Sequence, residues 1–222
     1  MKNYRTLIIG AAVVLLAGVT ARAEVKVTVG HNTSDEAKPE FKFKNVPSPS
    51  TNDIAAKAKF TIADGEQDPA GGDVTKLNDG KLPTEEDQPA ENFFFNAGTE
   101  GGRLQLDLGS VANIKQVNTY SWHLNTRGPQ FYKLYASDGT ATNFVALPKN
   151  GTNPEKAGWK LITGVDTRPK DGEPGGQYGV SISETAGALG KYRYLLFACS
   201  RTESDDDFGN TFYSEIDVIE QK

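Results

Sequence analysis

The sequence contains one cysteine and two histidines in 222 residues. A lone Cys199 excludes a disulfide framework and a cysteine-based zinc site. His31 and His123 are too few for a histidine-rich metal centre or a proton relay. There is no basic cluster, and 24 Lys and Arg against 29 Asp and Glu give a formal charge of −5. That balance argues against nucleic acid as a partner. The Gly-x-Ser-x-Gly elbow, the His-Glu-x-x-His pair and the Rossmann and P-loop glycine patterns are all missing. No repeat of 20 to 50 residues is present, and no window holds a 3.6-residue apolar period. The expectation is that the chain is not an enzyme and has no catalytic residues, since a Ser-His-Asp set would rest on His123 alone. What is present is ordinary for a folded domain: 37% hydrophobic and 24% charged residues, with length enough for one sizeable core.

Residues 1–23 read as a signal peptide. Lys2 and Arg5 make a positive start, Leu7 to Val19 is an apolar run, and Ala21-Arg22-Ala23 is a small-x-small cleavage site before Glu24. The run is short for a bilayer span, and no other stretch is long enough to cross one. The expected product is exported, to a bacterial periplasm or beyond the cell, with no transmembrane anchor. Loss of Lys2, Arg5 and Arg22 leaves 21 basic against 29 acidic groups, or −8. Such a charge repels anionic membranes and highly sulfated polymers at long range. Cys199, inside the apolar run Tyr194 to Cys199, is expected to be buried and inert.

From Glu24 onward the pattern is that of an all-β protein. Val25, Val27 and Val29 alternate with polar residues, as do Phe41 and Phe43 with Lys42 and Lys44. Pro47 and Pro49 then interrupt regular structure. Lys59 to Ile62 reads as a strand, and Leu104, Leu106 and Leu108 alternate until Gly109. Further strands are expected at 114–122, 131–137, 159–165, 178–183, 192–199 and 212–219. About eight core strands joined by Gly-, Pro- and Asn-rich loops predict a jelly-roll β-sandwich over 73–222. Residues 24–72 form an N-terminal segment of short strands that pack on it or lead into it.

Three constellations could carry chemistry. In Leu77-Asn78-Asp79-Gly80-Lys81, a carboxylate sits beside a turn-forming glycine, and Thr84 returns a hydroxyl five residues after Asp79. Oxygen donors on a sharply turned loop suit calcium, and an ordinary Asp-Gly turn has the same spacing. Between two strands, Trp122, His123, Asn125 and Arg127 supply an aromatic face and planar hydrogen-bonding groups within six residues, as sugar recognition requires. The same residues also fit a core Trp, a hydrogen-bonded His and an Arg paired with an acid. The third is the loop from Ser200 to Phe212, where Arg201 could donate to hydroxyls and Phe208 sits between Asp207 and Gly209. Its Asp205-Asp206-Asp207 run reads as a solvated acidic loop or a second cation site.

The order of the Asp-Gly loop, the Gly102-to-Gly109 strand, the Tyr135-to-Gly139 turn and the final Ser214-Glu215-Ile216 strand resembles a discoidin domain. This is the coagulation factor 5/8 type C family, similar to family 32 carbohydrate-binding modules with the galactose-binding-like fold. The likeness covers roughly 73–220. It implies a structural calcium held by Asp79, Thr84 and Glu215 with backbone carbonyls near Leu77, Lys81 and Ser214. The family's Trp after the Thr is replaced here by Glu85-Glu86-Asp87. It further implies a shallow carbohydrate or cell-surface glycan site at one sandwich end, built from Trp122, His123, Asn125, Arg127, Arg201 and Phe208. The alternative is a structural or protein-interaction domain of the same fold that meets an exported protein and binds no sugar.

Overall fold

The computed structural model describes residues 24–171, 174–185, 187–203 and 209–222. The expected signal peptide and Phe208 lie outside the described residues. Eight strands run in chain order: β1 (Val25–Asn32), β2 (Lys59–Asp64), β3 (Gly101–His123), β4 (Phe131–Ser137), β5 (Lys160–Asp166), β6 (Gly176–Glu184), β7 (Gly190–Ser200) and β8 (Tyr213–Glu220). Every pairing between them is antiparallel. The only helical pieces among the described residues are single 3₁₀ turns, and no helix there is long and apolar enough to cross a membrane.

The 23-residue β3 organises the molecule. Its first half lies between β2 and β7, and its second half lies between β6 and β8. One strand therefore serves two sheets, β2-β3-β7-β4-β5 and β1-β6-β3-β8, packed as a sandwich. The sequence pattern placed a strand end at Gly109. The chain instead continues through it, because Gly109 takes φ +81° where the β3–β7 register shifts between Asp107 and Ala112.

Alternate residues of both sheets fill the core. Leu104, Leu134 and Phe197 from one sheet face Val117, Val180 and Ile216 from the other, all within 1% of full burial. Each such side chain contributes about 1.5–3 kcal/mol relative to exposure. Cys199 lies in this core, and burial pushes its thiol pKa up to about 12, which leaves it unreactive at neutral pH.

Both β1 and β2 come from 24–72, so this segment supplies members of each sheet. The expected strand over Phe41–Lys44 does not form. Phe41 sits at φ +46° in a loop that crosses the outer face of β1-β6-β3-β8. There Phe41 and Val46 are buried against Tyr120 and Trp122. Gly179 leaves room for this loop, since a Cβ on it would stand 2.7 Å from the Phe43 ring.

The outer face of the other sheet is half covered. Trp159, with Phe144 beside it, packs over Tyr135 and Leu196, and its indole N–H donates to the Val145 carbonyl at 2.9 Å. The remaining half of that face is open to solvent.

Candidate binding site

The loops at one end of the sandwich are tied together by hydrogen bonds. The Thr202 hydroxyl donates to the Thr126 carbonyl, the Thr211 hydroxyl to the Pro129 carbonyl at 2.6 Å, and the Asn210 amide to the Asn96 carbonyl at 3.1 Å. The segment from Trp122 to Arg127 is part of this end, but its aromatic groups face inward. Trp122 is 4% exposed, with its ring edge-on to Phe41 at 5.7 Å. It cannot offer a face to a sugar, which corrects the expected stacking role. The covering 37–46 loop is the cause.

His123 is also corrected as a ligand donor, being 2% exposed. Its Nδ1 lies 3.0 Å from the Leu124 carbonyl, its Nε2 lies 3.3 Å from Asp87 Oδ1, and its ring rests on Phe212 at 4.1 Å. Burial lowers its pKa, so the ring is neutral at neutral pH. Arg127 lies over the other partner of this stack, 5.6 Å from the Phe212 centroid, and Phe94 packs on Phe212 at 3.6 Å. Asn125 alone of this group is exposed, held at φ +53°.

The Asp79 loop meets the last strand, as the calcium reading requires, but Thr84 does not join them. The Gly80 backbone lies close enough to the Glu215 carboxylate to lower its pKa, against the stronger effect of burial. Asp79 instead accepts from the Lys81 amide at 2.8 Å and lies 3.4 Å from the Lys76 ammonium. The amide and hydroxyl of Thr84 are bonded to the Gln88 side chain. Leu77 is buried, and the Ser214 hydroxyl donates to Asn92 at 2.7 Å.

Glu215 and its neighbour Asp217 lie under residues 50–53. Burial, and then the charges of Asp217, Asp79 and Asp53, push the Glu215 pKa up to about 9. Burial and Asp53 push that of Asp217 up to about 7. Glu215 Oε2 and Asp217 Oδ1 are buried with no hydrogen-bond partner. Among the described residues no three His, Cys, Asp or Glu side chains stand together as a ready metal site, so backbone oxygens would have to complete any shell.

A large concavity lies elsewhere, on the open half of the β2-β3-β7-β4 outer face. It is a groove of about 690 Å³ whose lining includes Arg103, Phe131, Lys133, Arg168, Ala198 and Arg201. Strand register builds it. Ala198 on β7 is paired on one side with Arg103 of β3 and on the other with Lys133 of β4, so a methyl group forms the floor between two long cations. The Arg103 Nη1 donates to the Pro148 and Lys149 carbonyls at 3.1 and 2.8 Å, which uses two of a guanidinium's five donors.

The rim is polar and planar. The Arg168 guanidinium lies 3.8 Å from the Phe131 ring centroid and is anchored by two bonds to Asp166, at 2.8 and 2.7 Å. Arg201 is 3.2 Å from Glu100 and lines the same groove. Of the sequence-derived ligand residues that are described, Arg201 alone is on the lining of this concavity. Arg103 on β3, Phe131 and Lys133 on β4 and Arg168 in the loop after β5 were missed because they are far apart in the chain and share no motif.

No family model matches the sequence, and no curated protein matches it either. Solved structures do. The chain is similar to CpGH89CBM32-4 from Clostridium perfringens, at 12% identity and TM-score 0.45 over 75% of this chain and 98% of that one. It is similar to the SusE-like protein BT2857 at 15% identity and TM-score 0.49, over 74% and 97% of the two chains. A fucolectin from striped bass serum aligns at 12% identity and TM-score 0.48, over 80% of this chain and 50% of that one. The β-sandwich itself rests on the strand pairings described above.

Proposed function

We propose that this protein is an exported, non-catalytic binding module whose ligand is a carbohydrate, taken up in the groove above Ala198. The observation that carries the reading is the groove itself. It is a large open concavity, and it sets guanidinium donors beside the Arg168–Phe131 cation–π pair. Pyranose rings need that pairing: a planar surface for C–H groups and N–H donors for hydroxyls. Such a shallow site binds weakly and gains from multivalency. A solved relative in fold, CpGH89CBM32-4, is described in complex with GlcNAc-α-1,4-galactose, which agrees with this reading.

A structural calcium belongs to the same proposal. The unpartnered Glu215 Oε2 beside the Asp79–Gly80 turn is the kind of oxygen a hard cation satisfies. Glu215 and backbone carbonyls of the loop would hold it, with Asp79 reached by release from Lys81. Its contribution would be to join the 77–81 loop to β8.

A glycan-array screen of residues 24–222, with and without calcium, tests the function. A hit that Arg168→Ala abolishes and Asn125→Ala preserves is the expected result. No hit in either condition overturns the carbohydrate reading in favour of a protein-interaction domain. A hit lost only with Asn125→Ala moves the site to the loop end.

A further inference from the structure

The charges of the groove are arranged around a gap. Asp64, Arg103, Ala198, Lys133 and Gly164 are successive partners across five strands. Neighbouring strands lie about 4.8 Å apart, so the Arg103 and Lys133 backbones stand roughly 10 Å from each other. Only the Ala198 methyl lies between them. On the far side of Lys133, a Cβ placed on Gly164 would have nothing within 4 Å, so the slot is open along that flank.

The two cations differ from the others on the rim. Arg168 and Arg201 are compensated by Asp166 and Glu100. Among the described residues, neither Arg103 nor Lys133 takes part in an ion pair. Arg103 is held by two carbonyls instead, and Lys133 is exposed. The lining also carries Asp64 and Glu203, which limits how much negative charge the groove accepts.

We infer, building on the carbohydrate reading above, that the groove takes an acidic saccharide, with the carboxylate of a uronate unit seated between Arg103 and Lys133 over Ala198. The guanidinium fork matches a carboxylate in shape, and the ammonium adds a point charge from the opposite side. A methyl floor admits the group where a larger side chain would fill the slot. The Arg168–Phe131 cation–π contact then lies beside the sugar ring. The acidic balance of the whole chain opposes dense polyanions, while a single carboxylate per sugar is served by this local pair. At physiological salt the wider field is screened beyond about 8 Å, and the contact pair is not.

The test is calorimetry on residues 24–222 with hexamers of glucuronate and galacturonate, and with the same chains after their carboxyls are reduced to alcohols. Dextran sulfate serves as the dense polyanion. A uronate hexamer is expected to bind at least about tenfold more tightly than its reduced form, as a charge-assisted contact would give. Lys133→Ala and Ala198→Leu are each expected to weaken that binding about tenfold or more, with unchanged circular dichroism and melting. Equal binding of the uronate and reduced hexamers overturns the inference and leaves the carbohydrate reading standing, as does an array hit on neutral sugars with no uronate response. No response to any glycan, charged or neutral, overturns both. Tighter binding of dextran sulfate than of either uronate overturns the assignment to a carboxylated saccharide.

Discussion

Trp122→Phe removes one ring of the indole together with its N–H, and the two losses act in opposite directions. The side chain is 4% exposed and packed on Phe41 and Tyr120, so shortening it leaves a void. A void of roughly 40 Å³ costs about 1 kcal/mol. The indole N–H, however, is buried with no partner, and removing an orphaned donor returns about 1–3 kcal/mol. Trp122→Phe is therefore expected to stay within about 1 kcal/mol of wild type once the smaller hydrophobic surface is included. Trp122→Ala, which keeps the relief but empties the pocket under the 37–46 loop, is expected to lose about 3–5 kcal/mol. Urea unfolding followed by circular dichroism gives both values, with equal m-values showing that midpoints can be compared. Glycan affinity of folded Trp122→Phe should match wild type. A stable Trp122→Phe protein that has lost tenfold or more in affinity would refute the assignment of Trp122 to the core.

Three further outcomes follow from the same geometry. Burial holds the His123 pKa below its ordinary 6.5, so the unfolded chain takes up a proton that the folded chain resists as pH falls through that value; between pH 7 and pH 5 the melting temperature should fall more steeply for wild type than for His123→Asn, and parallel curves would contradict this. Calcium at neutral pH should raise the melting temperature, chelation should reverse the gain, and Glu215→Gln should abolish it, whereas an unchanged response in that variant would remove Glu215 from the ion site. Gly179→Ala, whose Cβ would lie 2.7 Å from the Phe43 ring and 3.1 Å from Val46, should lose about 1–3 kcal/mol by overpacking; Phe43→Leu in the same chain should restore part of it, and strictly additive losses in a double-mutant cycle would contradict the contact.

Strands that carry an apolar period or end at clear turn residues were legible in the sequence, even where Gln105 and Tyr135 on the other face are also buried. Leu104 and Leu106 enter the core where their period places them, and 131–137 is a strand with those bounds. Residues Val117 to His123 are all buried, so nothing in their pattern says whether Trp122 meets solvent or the 37–46 loop. The same period misled at Phe41 and Phe43, where two loop aromatics cap a sheet from outside. Gly109 read as a stop, although a glycine at positive φ also lets a strand bend and continue. In the calcium constellation, the family resemblance put Asp79, Thr84 and Glu215 together, and the structure brings the Asp79–Gly80 turn near Glu215. The turning of Thr84 toward Gln88 was not, because it depends on a local side-chain competition. The groove was hidden for a topological reason. Arg103, Lys133 and Ala198 are neighbours only after β7 inserts between β3 and β4.

The most direct measurement is an amide chemical-shift map of residues 24–222 titrated with the best array glycan. Binding in the groove should move the resonances of Arg103, Lys133, Ala198 and Ser200 together, with one common dissociation constant. Shifts confined to Asn125–Gly128, with those four unmoved, would contradict the account and return recognition to the loop end.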